Sequence, residues 1–329
     1  MSLPRDLLEA VCVRPLAECW ELVVAKAWEL CSAPLQRDEV IEQLAARERA
    51  LQSLDLMLAN VAWDLWEDVE SGLKSNAQAV VDWWERHPPG RAVLILDGLS
   101  LREVPWLLHQ APGRGYRVSN PCAYRAELPP DTTYFARALE LSGRAVLENN
   151  QAGQHRLRPA HTETSDLPFQ DCLGWVGAQT DWFLWHHWPD HRLHELDKAG
   201  KGLNAIALEA AEKLCSDSFW ELVGRLSQGR RLLITSDHGY AAAGFFPNAD
   251  EDQSAHLKAL FKSGRHSQHD FSPGHFLPPT DLTFSSTWGR HRYALGQRRW
   301  KSQGGYPTLT HGGLTLLEVL CPFLELERM

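Results

Sequence analysis

The sequence has no Cys-x-x-Cys pair, no long apolar run and no excess of basic residues. Its seven cysteines are scattered and odd in number, which argues against a disulfide framework and a thiolate zinc site. No stretch of about 18 uncharged apolar residues occurs and the N-terminus has no signal-peptide pattern, so we expect a cytoplasmic protein without a membrane segment. A net charge of −9 argues against general nucleic-acid binding, although a local basic groove could hold a phosphate backbone.

The hydrophobic pattern changes once along the chain. From residue 6 to 86, apolar residues recur every three or four positions, which predicts helices. The continuously apolar runs 91–96 and 231–235 are typical of strands covered on both faces, and one helix is expected over 206–226. We therefore predict an α/β fold with a mostly parallel sheet flanked by helices. A small N-terminal helical module (1–90) would precede the catalytic domain (91–329).

The polar segment 241–310 is predicted to be a lid or insertion, because a stretch this long with little periodicity is uncommon without a function. Basic and aromatic side chains are interleaved within it: Lys258, Lys262, Arg265, Arg290, Arg292, Arg298, Arg299 and Lys301, with Phe261, Phe271, Phe276, Trp288, Tyr293 and Trp300. This mixture suits a single-stranded nucleic-acid backbone with stacked bases. Alternatively, the aromatic residues pack on the sheet and the charges are merely solvated.

Carboxylates follow both apolar strands. Asp97 precedes Gly98, and Asp237 precedes His238 and a glycine. Because reactive groups collect beyond the carboxyl ends of strands in open α/β sheets, these side chains are candidate metal ligands. The alternatives are a turn or cap aspartate at Asp97, and a capping aspartate beside a core histidine at Asp237 and His238.

Five more side chains are candidates for the same centre. Asp190 and His194 are four residues apart and share one face if the segment is helical. His311 precedes two glycines and a predicted apolar helix over 314–320, whose N-terminus favours an anion. Thr132 and Thr133 follow a Pro-Pro pair at the start of a predicted helix. Either one is simply an N-cap, or its hydroxyl acts as a nucleophile beside a metal.

The order of these pieces resembles the PglZ domain of the alkaline phosphatase superfamily. The resemblance covers residues 91 to 329. It is carried by Leu96-Asp97-Gly98 with Leu99-Ser100-Leu101-Arg102, by Ile234-Thr235-Ser236-Asp237-His238-Gly239, by Arg292-Tyr293 and Arg298-Arg299-Trp300, and by His311-Gly312-Gly313 with Glu318 and Pro322.

The resemblance implies an alkaline-phosphatase-like core with two divalent metal ions, zinc first, with manganese or magnesium as alternatives. In that scheme one ion is held by Asp97, Thr132, Asp237 and His238, and the other by Asp190, His194 and His311. Thr132 would attack phosphorus while the ions polarise the phosphoryl oxygens. The sequence has Pro129-Pro130-Asp131-Thr132 where Pro-Ser-x-Thr is expected, so Thr133 stays a candidate nucleophile.

The resemblance implies a metal-dependent phosphodiesterase or nuclease-like hydrolase of bacterial antiphage defence, as in BREX systems. The substrate would be a phosphodiester, such as single-stranded nucleic acid or an oligonucleotide, contacted by Arg102, Lys262, Arg265, Arg292 and Arg298. One alternative is a phosphomonoesterase. Another is a weakly catalytic or non-catalytic scaffold with partners in a defence complex, bound through the tryptophans of the N-terminal helices. Those tryptophans could instead pack inside the protein: Trp20, Trp28, Trp63, Trp66, Trp83 and Trp84.

Overall fold

The computed structural model describes residues 5–268 and 276–329, except for the side chains of residues 6, 10 and 12. Its main feature is a six-stranded sheet with the spatial order β2-β9-β5-β1-β4-β3. A second, three-stranded sheet has the order β6-β8-β7. The strands are β1 (Arg91–Leu96), β2 (Tyr116–Arg125), β3 (His161–Ser165), β4 (Trp182–His186), β5 (Arg231–Thr235), β6 (His266–Ser267), β7 (Asp281–Ser286), β8 (Gly289–Ala294) and β9 (Leu320–Arg328).

The large sheet is mostly parallel. Strand β1 pairs in parallel with β4 and β5, and β3 pairs in parallel with β4. Only β9 runs the opposite way, between β5 and β2. Every residue of β1 is buried, because helices cover both faces of the sheet. The predicted fold class, an α/β protein with a mostly parallel sheet flanked by helices, is therefore confirmed.

Helices make up most of the first 86 residues and link the later strands. Among the described residues, no helix combines the length and apolar character needed to span a membrane. The helices are α1 (Arg5–Val13), α2 (Leu16–Ser32), α3 (Val40–Asn60), α4 (Val69–Gly72), α5 (Asn76–Arg86), α6 (Val104–Gln110), α7 (Thr132–Ala138), α8 (Phe169–Cys172), α9 (Asp190–Lys198), α10 (Gly202–Leu214), α11 (Asp217–Leu226), α12 (Glu251–Phe261) and α13 (Leu316–Val319).

The N-terminal helices share their hydrophobic cores with the rest of the chain. Val80 of α5 packs in one cluster with Val93 of β1 and Phe183 of β4, and Leu51 of α3 packs with Tyr293 of β8. The helices over 5–86 therefore cover the sheet instead of enclosing a core of their own. The domain boundary at residue 90 stays a prediction. Four of the six N-terminal tryptophans are buried: Trp20, Trp66, Trp83 and Trp84.

Two predicted helices differ from those observed. The segment 206–226 lies in two helices, because the Ser216 hydroxyl accepts a hydrogen bond from Phe219 N at 3.2 Å and begins α11 afresh. The predicted helix over 314–320 is the single turn α13, after which the chain enters β9. The helix ends at Val319 because Leu320 already pairs with Arg125 of β2 as the first residue of β9.

The segment 241–310 contains regular structure. It includes α12 and the three-stranded sheet, and it is tied to α3 because Gln297 Nε2 donates to Asp55 Oδ2 at 2.8 Å. We refer to residues 241–310 as the cap. One of its aromatic residues from the sequence pattern, Phe271, lies outside the described residues.

Candidate active site

Two buried carboxylates meet beyond the central strands. Asp97 follows β1 and Asp237 follows β5, and both are fully buried. They are held together because Gly98 N donates to Asp237 Oδ1 at 2.9 Å. Gly98 has a φ of +72°, and a Cβ there would lie 3.1 Å from Asp190 Cβ. A glycine is therefore required where the chain turns past the third carboxylate.

The hydroxyl of Thr132 faces these carboxylates. Thr132 begins α7, and its Oγ1 donates to Asp237 Oδ2 at 2.7 Å. The same atom lies 3.3 Å from Asp97 Oδ1 and 3.3 Å from His238 Nε2. Asp131 caps the helix by accepting from Thr133 N at 2.8 Å. Neither threonine is thus the N-cap considered from the sequence, and Thr133 is exposed on the helix surface.

His238 presents one ring nitrogen to the same place. Its Nδ1 lies 2.8 Å from Gly239 O, so the Nδ1–H donates to that carbonyl. In the neutral ring Nε2 carries the free lone pair, and this atom lies 3.5 Å from Asp237 Oδ2 and 3.8 Å from Asp97 Oδ1. A backbone acceptor that fixes the tautomer in this way is common for histidines that bind metals.

A second group surrounds Asp190, at the start of α9. Asp190 Oδ2 lies 3.5 Å from His194 Nε2, and Asp190 Oδ1 lies 3.7 Å from His311 Nε2. The ring of His311 stacks on that of His238, with centroids 4.3 Å apart. Asp190 Oδ1 is buried and has no hydrogen-bond partner within residues 5–268 and 276–329. An oxygen in this position needs a cation or a donor to offset its desolvation.

Two sets of residues could each hold a metal ion. Asp97, Asp237 and His238 offer ligand atoms within 4.8 Å of one another, and so do Asp190, His238 and His311. The structure thus brings all the predicted ligands into one region, but it groups them between the two ions differently from the scheme that the resemblance implies. His238, expected to serve one ion, is within reach of both sites, whereas His194 lies beside Asp190 and outside the two compact sets.

The charges of the site favour a bound cation. Burial, together with the charges of Asp237 and Asp190, raises the pKa of Asp97 well above its usual value. Burial would lower the pKa of His238, but Asp237, Asp190 and Asp97 outweigh it and raise that pKa to about 9. Three carboxylates crowded away from water repel one another unless positive charge lies among them. With imidazole nitrogens close by, the side chains fit a divalent metal.

Arg144 is a part of the site that sequence reasoning missed. Its guanidinium donates to Asp97 Oδ2, and Trp185 Nε1 donates to the same oxygen at 3.0 Å. Both contacts orient Asp97 so that Oδ1 is left facing Thr132. Arg144 lies in the turn segment Arg144–Asn150, which has no recognisable motif, so only the tertiary contact identifies it.

Two of the five predicted substrate-binding residues form buried ion pairs. Arg102 is buried and pairs with Glu48, Nε to Oε1, at 2.7 Å. Arg265 is buried and pairs with Glu318, Nε to Oε1, at 2.8 Å. Each guanidinium also donates to a backbone carbonyl. Both side chains are therefore held by partners within the protein, and their contact with a substrate stays a prediction.

The other three predicted contacts lie in the cap. Arg292 Nε donates to Thr283 Oγ1 at 2.8 Å, and Arg298 Nη1 donates to Leu295 O at 2.9 Å. Both therefore support the cap. Lys262 is exposed at the end of α12 and lines a cavity of about 370 Å³. It is the member of the predicted set whose charge faces open space.

No protein-family model and no curated protein matches the chain. Among solved structures, the murine ectonucleotide pyrophosphatase/phosphodiesterase 5 is similar at 12% identity and a TM-score of 0.42, over 72% of this chain and 87% of that one. An inactive threonine-to-alanine variant of the murine protein in complex with AMP is similar at 11% identity and a TM-score of 0.43, over 72% of this chain and 88% of that one. The human protein is similar at 10% identity and a TM-score of 0.42, over 72% of this chain and 87% of that one. Identity and TM-score are low, so this likeness assigns neither family nor function.

Proposed function

We propose that this protein is a metal-dependent phosphodiesterase of the PglZ type in the alkaline phosphatase superfamily, with Thr132 as its nucleophile. One observation carries the proposal. The Thr132 hydroxyl lies 2.7–3.3 Å from Asp97, Asp237 and His238, in a buried cluster of metal-ligand types. A structural threonine at a helix start has no need of three such neighbours.

The proposed cofactor is a pair of divalent ions. Asp97, Thr132, Asp237 and His238 would hold one ion. Asp190, His194 and His311 would hold the other, with His238 within reach of both. The mixture of imidazole and carboxylate favours zinc, with manganese or magnesium as alternatives. When bound, the ions would supply Lewis acidity that favours the ionised hydroxyl and stabilises charge on the phosphoryl oxygens.

The protein's own side chains provide the nucleophile and a proton acceptor. Thr132 Oγ1 forms a bond to phosphorus as the bond from phosphorus to the leaving alkoxide breaks, and the alkoxide takes up a proton from solvent. The hydroxyl proton passes to Asp237 Oδ2, which already accepts its hydrogen bond at 2.7 Å. Arg144 and Trp185 hold Asp97 in place during this step. Water then hydrolyses the phosphothreonine ester and restores Thr132.

The proposed biological role is hydrolysis of single-stranded nucleic acid or an oligonucleotide in bacterial antiphage defence, alongside protein partners of the BREX type. The resemblance of the motifs to PglZ domains supports the role. The exposed Lys262 beside a cavity supports a substrate larger than a phosphate monoester.

The test uses chelated protein to which zinc or manganese is returned. We expect turnover of bis-(p-nitrophenyl) phosphate in preference to p-nitrophenyl phosphate. Thr132→Ala should lower turnover by about 10³-fold or more, with nearly unchanged metal content by mass spectrometry. Thr133→Ala, one residue away and exposed, is the matched control and should stay active.

Three outcomes would change the proposal. Activity retained in Thr132→Ala but lost in Thr133→Ala would move the nucleophile by one residue. A preference for the monoester would make the protein a phosphomonoesterase. No turnover of either ester with metal bound would favour a scaffold subunit.

A further inference from the structure

A cavity of about 370 Å³ lies between the start of α7 and the end of α12. Among the residues that line it are Tyr134, Phe261, Lys262 and His266. Its lining includes Tyr134, which lies in the same turn of α7 as Thr132. On the other side, His266 packs so closely on Gly312, the neighbour of His311, that a Cβ there would overlap its ring.

The walls of the cavity combine rings with polar and cationic groups. Tyr134 Oη and the Gln268 amide nitrogen each lie 2.9 Å from His291 Nε2, so both side chains are positioned around that ring. Lys262 is exposed, and the Arg137 guanidinium lies 5.6 Å from the centre of the Tyr134 ring. None of the described residues that line the cavity is acidic. The surroundings therefore favour an anionic ligand with a planar aromatic part.

We propose that this cavity receives a nucleoside group of the substrate, while its phosphate lies at Thr132. The inference rests on the proposed function and specifies its substrate class. A phosphate monoester of a small alcohol would leave the cavity unused, whereas a diester carries a second ester group that must be accommodated.

The size and the lining of the cavity indicate which kind of phosphodiester it can receive. A volume of about 370 Å³ is in the range of a site for one small organic group and is far too small for a double helix. The rings of Tyr134, Phe261 and His266 offer contact area for a base, and the Gln268 amide offers a donor and an acceptor to a base edge. The substrate is therefore a single-stranded or mononucleotide-type phosphodiester.

Binding to the zinc-loaded Thr132→Ala variant tests this inference without turnover. The probes are guanosine 5′-monophosphate and ribose 5-phosphate, which share the phosphate and sugar but differ in the base, titrated by calorimetry. We expect the nucleotide to bind about tenfold or more tightly than the sugar phosphate, the gain that base stacking gives. Tyr134→Leu, in the same background and with folding checked by thermal melting, should reduce that ratio to about twofold or less.

A matched pair of lysine substitutions, at the end of α12 and within it, tests whether positive charge beside the cavity contributes to binding. Lys262→Glu should weaken nucleotide binding by about fivefold or more through loss of a nearby cation. Lys258→Glu makes the same change at an exposed position outside the cavity and should leave affinity within about twofold.

Equal affinity for the nucleotide and the sugar phosphate would overturn the inference, and so would equal weakening by the two lysine substitutions. Failure of the proposed function is a separate result. In that case wild-type protein would not hydrolyse bis-(p-nitrophenyl) phosphate, yet the base-dependent binding would persist.

Discussion

Replacing Asp97 by asparagine should have opposite effects on stability with and without metal. Asp97 is fully buried, and Asp237 and Asp190 raise its pKa further. The carboxyl pKa in the unfolded chain is about 4. As the pH rises from there to the higher pKa of the folded state, the unfolded chain ionises first and the free energy of unfolding falls. An asparagine carbonyl can still accept from Arg144 and Trp185. In chelated protein at pH 7 the substitution should therefore leave stability unchanged or increase it.

With zinc present, the same substitution should lower the stability of the folded protein. Metal at 100 times its dissociation constant stabilises the folded state by about 2.7 kcal/mol. With about 2.1 cal/mol/K of unfolding entropy per residue, the 329-residue chain has an unfolding entropy of about 0.7 kcal/mol/K. Zinc should therefore raise the wild-type Tm by about 4 °C. Asp97→Asn should lose most of this gain, because a neutral amide is a far weaker ligand.

Scanning calorimetry at pH 7, with chelator and then with zinc, measures both effects. Asp181→Asn is the matched control. Burial would raise the pKa of Asp181, but hydrogen bonds from Arg91 and the backbone hold it below its usual value, and Arg91 Nη2 lies 2.6 Å from its Oδ2. Breaking this buried pair should cost about 3–5 kcal/mol, or about 4–7 °C, equally with and without zinc.

The reasoning about the metal site would be refuted by either of two results. One is a wild-type Tm that does not respond to zinc. The other is an Asp97→Asn protein that is less stable than wild type in chelator yet keeps the full zinc response, since Asp97 would then be a structural carboxylate like Asp181.

Three further predictions concern other residues of the site and its supports. His238→Ala should lower the content of both metals because its ring is within reach of both sets, whereas His311→Ala should lower one more than the other. Mass spectrometry of metal content decides this, and equal losses in His311→Ala would contradict the division. Arg144→Ala should lower kcat about tenfold or more through misplacement of Asp97, with partial recovery in Arg144→Lys, and an unchanged kcat would remove its positioning role. Arg265→Met should cost about 3–5 kcal/mol by stranding its buried carboxylate partner and leave the KM for the diester unchanged, whereas a raised KM would return it to the substrate site.

The sequence pointed to the residues that meet at the candidate site better than to the residues that support them. Asp97, Asp237 and His238 could be found from the sequence because a polar group after an apolar strand has a defined place at the sheet edge. Asp190 and His194 could be found from their helical spacing. Arg144 and Trp185 could not be found, because their roles depend on contacts between segments far apart in the chain.

Basic residues in the cap were harder to interpret. Arg265 and Lys262 look alike in the sequence, being cations three residues apart among aromatics. The structure buries Arg265 against Glu318 and leaves Lys262 exposed beside the cavity. Composition records only that a cation is present, whereas its partner and its exposure decide what it does.

By itself the sequence determined the local structure and the types of chemical group. Continuous apolar runs required buried strands, three- and four-residue spacing required helices over 5–86, and the residues after the strands supplied carboxylates and imidazoles. Tertiary structure alone decided which groups meet. The helix predicted over 314–320 is cut to the single turn α13, because the chain enters β9 at Leu320 and pairs there with distant segments on both sides. The chain's return through Gly312 brought His311 onto His238, and no local pattern encodes such a contact.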